Sequence, residues 1–151
     1  MSLEIALYQP DIAPNAATIG RMCACFGLRL TIIEPAGFVF TDSGFRRAGM
    51  DYLEKLDLNR AASWTAFRVG VAGRRIVLLT TKADATYTDF AFRPDDILLL
   101  GRESAGVPDE VHAAADARIR IPMAEGLRSL NVALATAMVT GEALRQLKAF
   151  P

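Results

Sequence analysis

Ile76-Val77-Leu78-Leu79 and Ile97-Leu98-Leu99-Leu100 are each four consecutive aliphatic residues with no polar position among them. A strand with one wet face alternates apolar and polar side chains. Two such runs therefore predict strands covered on both sides, as in a parallel sheet held between helix layers. Residues 3–8, stopped by Gln9-Pro10, read as a buried first strand, 30–33, closed by Glu34-Pro35, as a second, and 118–121 as a short last one. The aliphatic runs lie in a third strand over 76–80 and a fourth over 97–100.

Helical spacing fills the gaps. Pro14-Asn15 marks a start, with Asn15 as a cap, Ile19, Met22, Cys23 and Phe26 recur on one face, and Gly27 supplies a stop. Residues 59–69 predict a short amphipathic helix, 109–115 a helix begun at Pro108, and 129–147 a long one capped by Ser129. Residues 36–51 mix Gly, Ser, Thr, aromatics and the Arg46-Arg47 pair, and predict loop with at most one helical turn. Residues 82–96 are turn-rich, although 87–92 alternate enough for a brief edge strand. Strands alternating with helices, without repeat or linker, predict one α/β domain over 1–151, a mainly parallel sheet with helices on both faces.

A chain of 151 residues can close a real core, burying roughly two-thirds of its unfolded surface. Eleven Gly and seven Pro are too few for a disordered low-complexity chain. The apolar runs are far shorter than the ~20 residues of a membrane helix. Glu4 lies inside the first apolar run with no basic segment ahead of a cleavage site, so the expected address is cytoplasmic, without a membrane partner. Cys23 and Cys25, one residue apart on a helix, point in different directions. They predict small buried side chains in a reducing compartment rather than a disulfide or metal site.

The formal charge is 17 minus 17, or zero, which argues against a purely charge-driven nucleic-acid binder. Its distribution is uneven: residues 20–75 carry nine Lys/Arg against five Asp/Glu, while 1–19 and 76–151 each come to −2. Fourteen of the seventeen basic residues are Arg, whose planar fork suits phosphate contacts and stacking on bases.

In parallel α/β sheets ligands sit outside the carboxyl ends of the strands, so the loops after strands carry the chemistry. Three stand out. The first, Pro14-Asn15-Ala16-Ala17-Thr18-Ile19-Gly20-Arg21, taken alone is a capped helix with an arginine nearly two turns on. The second, Gly101-Arg102-Glu103-Ser104-Ala105-Gly106, is a glycine-flanked turn with a carboxylate, and its glycines serve either a close ligand or the turn itself. It is one position out of register with the serine nucleophile elbow, and the only histidine, His112, reads as a surface residue on a short helix. The third runs from Ile121-Pro122-Met123 to Arg128-Ser129-Leu130-Asn131, a helix start with backbone donors and side-chain oxygens. No Gly-x-Gly-x-x-Gly follows the first strand and no Gly-Lys-Ser/Thr loop exists, which disfavours dinucleotide folds and P-loop enzymes. His/Cys/Asp/Glu clusters with metal-ligand spacing are absent, so no metal is expected.

Together, in this order, the three loops resemble the motifs of the SPOUT class of RNA methyltransferases. Within it the chain is similar to the small tRNA wobble-position cytidine/uridine 2′-O-methyltransferases. The resemblance extends through Ile32-Ile33-Glu34-Pro35-Ala36-Gly37-Phe38, Arg46-Arg47-Ala48-Gly49-Met50-Asp51-Tyr52 and Leu79-Thr80-Thr81-Lys82. It implies an α/β domain with a C-terminal deep trefoil knot, working as a homodimer on tRNA. It also implies S-adenosylmethionine held by main-chain groups around Leu79, Thr80, Gly101, Ile121, Met123, Ser129 and Leu130.

The catalytic residues implied are Asn15 and Arg21 from the first loop, Glu103 from the second, and Ser129 and Asn131 from the third. Arg21 takes the task of activating the ribose hydroxyl. A protonated guanidinium has no acceptor, so it either orients the hydroxyl and stabilises developing oxyanion charge or shares the task with a phosphate or water. Asn15, Ser129 and Asn131 would position the ribose and the helix ends, and Glu103 would orient Arg21 or the cofactor loop. With no appended RNA-binding domain, Arg29, Arg46, Arg47, Arg74, Arg75 and Arg128 are the candidate RNA contacts. The chain departs from the pattern at Ala16-Ala17-Thr18, at Arg102 and Ala105, and at Ala133-Leu134. The same chemistry on another tRNA position or on rRNA, and an RNA-binding module without turnover, are the alternative functions.

Overall fold

A computed structural model describes residues 2–38 and 50–151. Seven parallel strands, β1 (Glu4–Tyr8), β2 (Arg29–Ile33), β3 (Leu58–Ala61), β4 (Ile76–Leu79), β5 (Ala85–Thr86), β6 (Ile97–Leu100) and β7 (Ala117–Arg120), form one sheet. Their order is β3-β2-β1-β6-β4-β7-β5. Among the described residues four α-helices, α1 (Ala13–Phe26), α2 (Trp64–Gly70), α3 (Asp109–Ala114) and α4 (Val132–Leu147), join a 3-10 helix at Met50–Lys55. None of the described helices is long and apolar enough to cross a membrane.

The aliphatic runs occupy the middle of the sheet, where neither face meets water. Ile5, Leu7, Leu30, Ile32, Val77, Leu98, Leu100 and Ile119 pack on one face against α1 and α4. Ala6, Tyr8, Ile33, Ile76, Leu78, Ile97 and Leu99 pack on the other against Phe67 of α2 and Val111 of α3. The two sets alternate along each strand, as side chains of a pleated sheet must. Each fully buried Leu or Ile contributes about 1.5–3 kcal/mol.

The helix ends depart from expectation in an informative way. Helix α1 stops at Gly27, φ 68°, whose N–H bonds to Ala24 O, but it begins at Ala13 with no side-chain cap. Asn15 is inside the first turn and does not cap. Helix α4 begins three residues later than expected, because Asn131 and not Ser129 accepts from the N–H groups of Ala133 and Leu134. Ser129 and Leu130 stay in the loop as a result.

Two elements are corrected. Residues 58–61 are edge strand β3 rather than the start of a helix, and α2 begins at Trp64, capped by Ser63 Oγ accepting from Ala66 N. Leu58, Asn59 and Arg60 are all exposed, so β3 lacks the apolar pattern of its neighbours. The last edge strand is Ala85–Thr86, not 87–92. The apolar residues there serve packing, with Phe90 and Phe92 edge to face at 5.0 Å. Gln146 of α4 binds this segment at both ends, donating to Phe90 O and accepting from Phe92 N. Cys23 is buried as expected, but Cys25 is exposed, and His112 is half-buried rather than on the surface, its Nε2 enclosed without a hydrogen-bond partner among the described residues.

Candidate active site

The carboxyl ends of β4, β6 and β7 open into a cleft of about 480 Å³, within the range of small-molecule sites. All three loops singled out in the sequence reach it. Leu79, Thr80, Gly101, Ile121, Met123, Ser129 and Leu130 line its wall, together with Asn15, Glu103, Arg128 and Asn131. Arg102 of the second loop faces it too, as do Ile12 and Val132, which no sequence motif marked.

The second loop folds back on itself tightly. Arg102 and Gly106 exchange backbone hydrogen bonds of 3.1 and 2.9 Å, and Arg102 Nε adds a third to Gly106 O at 3.0 Å. A Cβ at Gly101 would stand 2.8 Å from the Gly106 backbone, and Gly106 itself has φ +63°. Both glycines are thus required by the turn, which answers the question the sequence left open. The Arg102 guanidinium lies 5.5 Å from the Tyr8 ring, tying the turn to the end of β1.

The first and third loops meet through one hydrogen bond: Asn131 Nδ2 donates to Asn15 Oδ1 at 3.1 Å, across 116 residues of sequence. Asn131 therefore uses its carbonyl to cap α4 and its amide to hold α1. The second loop meets the β1–α1 junction where Asp11 N donates to Glu103 Oε2 at 3.2 Å and Ser104 Oγ donates to Asp11 Oδ2. Glu103 has its pKa raised by burial and by its contact with Asp11, whose own pKa is lowered by its bonds from Glu103 and Ser104. Asp11 was missed in the sequence, although it follows the first strand, where such residues are to be sought.

Arg21 does not line this cleft. It is exposed on α1, about 9 Å along the helix from Asn15, with its guanidinium 4.6 Å from the Tyr52 ring. Arg29, Arg74 and Arg75 lie at the amino ends of the strands, away from the cleft. Arg75 forms a two-pronged ion pair with buried Asp96, at 2.8 and 2.7 Å, and donates to Ala91 O. Arg74 pairs with buried Glu4 at 2.5 Å and donates to Ser2 O and Asp95 O. These two arginines tie the sheet's lower edge together, and the expected basic face is not assembled from them. Arg29 pairs with Asp57 in solvent. Arg46 and Arg47 lie outside the described residues. Among the described residues no three His, Cys, Asp or Glu side chains are grouped as metal ligands.

This arrangement has counterparts among known proteins. A tRNA (cytidine(34)-2′-O)-methyltransferase of Beijerinckia indica is 63% identical over 147 residues, 96% of this chain and 92% of its own length. A solved structure described as "Structural insights into the 2-OH methylation of C/U34 on tRNA" superposes with a TM-score of 0.93 at 38% identity. It covers 97% of this chain and 96% of the other. An AdoMet-bound rRNA methyltransferase from Sinorhizobium meliloti superposes with a TM-score of 0.87 at 28% identity, over 97% of this chain and 57% of that one. The SpoU rRNA Methylase family matches residues 2–141, the whole span from β1 into α4 that builds the cleft, and the chain belongs to that family.

Proposed function

We propose that the chain is a tRNA 2′-O-methyltransferase that uses S-adenosylmethionine to methylate the ribose of the wobble nucleotide, cytidine or uridine. The observation that carries this reading is the convergence of all three loops on one cleft, joined by the Asn15–Asn131 bond and the Asp11–Glu103 contact. The relative from Beijerinckia indica is named for 2′-O-methylation of cytidine 34 of tRNA, and the likeness runs over nearly the whole of both chains.

The cleft fits the cofactor. Leu79, Ile121, Met123 and Leu130 offer an apolar wall for an adenine, and backbone groups about Thr80, Gly101 and Ser129 offer donors and acceptors for its polar edge. When bound, S-adenosylmethionine supplies an electrophilic methyl group on its sulfonium. The chain's residues must then present a ribose hydroxyl to it in line and draw off charge. Arg21 is assigned to orient that hydroxyl and stabilise the developing oxyanion. A protonated guanidinium accepts no proton, so an RNA phosphate or water takes it. Asn15, Ser129 and Asn131 hold the ribose and the α4 start, and Glu103 holds the cofactor turn rather than Arg21.

A homodimer completes this site. Arg21 is exposed outside its own chain's cleft, and Leu134 and Met138 expose apolar surface on α4. A second copy covering that surface would bring an Arg21 to each cleft. The same reading gives a single domain with a C-terminal trefoil knot, supported by the 80–96 connection being bound to α4 through Gln146. Arg128 at the cleft, with Arg46 and Arg47, is assigned to the RNA, and the cytoplasm, where tRNA is modified, is the expected location.

The test is methyl transfer from tritiated S-adenosylmethionine to total tRNA lacking wobble 2′-O-methylation, with the labelled nucleotide mapped by mass spectrometry. Label at the wobble ribose, lost in Arg21→Ala, is the expected result. Label at another tRNA position, or on rRNA when that is offered in place of tRNA, replaces the substrate and keeps the chemistry. No label and no cofactor binding leaves an RNA-binding module.

A further inference from the structure

The cleft carries more positive charge than the fold answers. Its charged lining residues are Arg102, Glu103 and Arg128, and Glu103 accepts from Asp11 N. Among the described residues neither of these arginines is within ion-pair distance of a carboxylate, whereas Arg29, Arg60, Arg74 and Arg75 each meet one. S-adenosylmethionine brings a sulfonium and an amine against a single carboxylate, so its arrival adds to the excess and does not cancel it.

Of the two, Arg102 is the one already fixed in place. Its Nε donates to Gly106 O at 3.0 Å, and its Cζ lies 5.5 Å from the centre of the Tyr8 ring. What remains is the Nη edge, whose N–H groups meet no acceptor among the described residues. A planar fork held at one edge and open at the other loses little freedom on binding an oxyanion, and its geometry suits a phosphate. The side chain is half-buried, so salt screens it less than a fully exposed cation.

We propose that Arg102 binds the tRNA backbone phosphate on the 3′ side of the methylated nucleotide. This role rests on the cleft being the site of 2′-O-methylation. The 2′-hydroxyl and the 3′-phosphate sit on neighbouring ribose carbons, so a ribose delivered to the cleft carries that anion with it. Gly101, next in the chain, lines the same wall, so one turn meets both the cofactor space and the substrate strand.

Arg102→Gln is the informative variant. The Gln side-chain nitrogen stands as many bonds from the backbone as Arg Nε, so it can donate to Gly106 O while the cation and the Nη edge are gone. Arg102→Lys keeps a cation. The experiment is filter binding of tRNA lacking wobble 2′-O-methylation across a range of salt, with calorimetric S-adenosylmethionine binding alongside. Arg102→Gln should lower the log–log salt slope by about 0.7–0.9, the share of one phosphate. It should weaken tRNA binding roughly tenfold at moderate salt, with cofactor affinity unchanged. Arg102→Lys regains the slope but only part of the affinity, being a point charge without the fork. A second tRNA carries an uncharged methylphosphonate 3′ to the nucleotide that the native chain methylates. The native chain should bind it about tenfold more weakly than natural tRNA, and Arg102→Gln should bind the two alike.

An unchanged slope in Arg102→Gln, or an equal loss from the methylphosphonate in both proteins, overturns the contact. A cofactor affinity that falls while the slope holds gives the Nη edge to the S-adenosylmethionine carboxylate, and overturns it too. Should Arg102→Gln not fold, nitrogen-15 NMR of the Arg102 Nη groups in the native chain decides: they must shift with natural tRNA and not with the methylphosphonate tRNA. If the native chain neither binds nor methylates tRNA, the reading of the cleft fails together with this contact. Native methylation with an unchanged Arg102→Gln slope removes the contact alone.

Discussion

The two ends of the sheet use polar residues in opposite ways. At the amino end, buried Glu4 and Asp96 are each matched by an arginine, and Thr31 and Asn59 extend the Glu4 network, so both buried carboxylates are answered within the fold. At the carboxyl end the turns are held by backbone bonds, glycines and amides, and the carboxylate of Glu103 there is met by the backbone N–H of Asp11 rather than by a cation. Charge at the amino end is structural. At the carboxyl end, polar groups are arranged around a space that the chain itself leaves open.

The largest effect expected from this contrast is at the amino end. Arg75→Ala leaves Asp96 wholly buried without its cation, and breaking such a pair costs about 3–5 kcal/mol. Urea unfolding should show this loss, while the variant, where folded, binds S-adenosylmethionine with native affinity. A weakened cofactor site in folded protein would break the separation of the two ends.

Gly101→Ala should come next, with the effects reversed. Its Cβ would meet the Gly106 backbone at 2.8 Å, and because backbone cannot step aside as a side chain can, the turn must open. A stability loss of about 1–3 kcal/mol is expected, with cofactor affinity reduced more than stability alone explains. Calorimetry at a temperature where the variant is fully folded separates the two.

Asn131→Ala removes both the α4 cap and the bond to Asn15. The cap is worth about 1 kcal/mol in thermal unfolding. Asn131→Asp keeps the cap acceptor and loses only the amide donor, so it should retain most of the stability while methyl transfer falls. Equal loss of both in the two variants would show that the Asn15–Asn131 bond serves only the fold.

How much of this was legible depended on where each residue finds its partner. The central strands β1, β2, β4 and β6 were readable because burial on both faces writes itself into every position, as in Ile97–Leu100. Edge strand β3 was not, because Leu58-Asn59-Arg60 lies in water and takes its conformation from pairing with β2. The cleft residues followed from the rule that loops at strand carboxyl ends carry ligands, and the specific assignment came from family resemblance. Asn15 was misread as a cap since its partner, Asn131, is 116 residues away. Arg74 and Arg75 looked like an exposed basic pair for the same reason. Nothing local to Arg74-Arg75 says that Glu4 and Asp96 are folded against them.

The smallest effect tests whether the amino end has any part in RNA binding. Arg29 is paired with Asp57, but both side chains are more than half exposed, at 51% and 60%. Arg29→Ala should therefore change stability by only about 0.2–1 kcal/mol in thermal unfolding. If the two ends are divided as described, the salt dependence of tRNA binding is also unchanged, because removing an arginine that neutralises a phosphate would lower its slope by about one ion. Arg128→Ala, at the cleft, should show that lower slope. A slope reduced by Arg29→Ala as well would carry the RNA footprint around the β2 edge to the amino end, and the charges there would then be divided between fold and substrate.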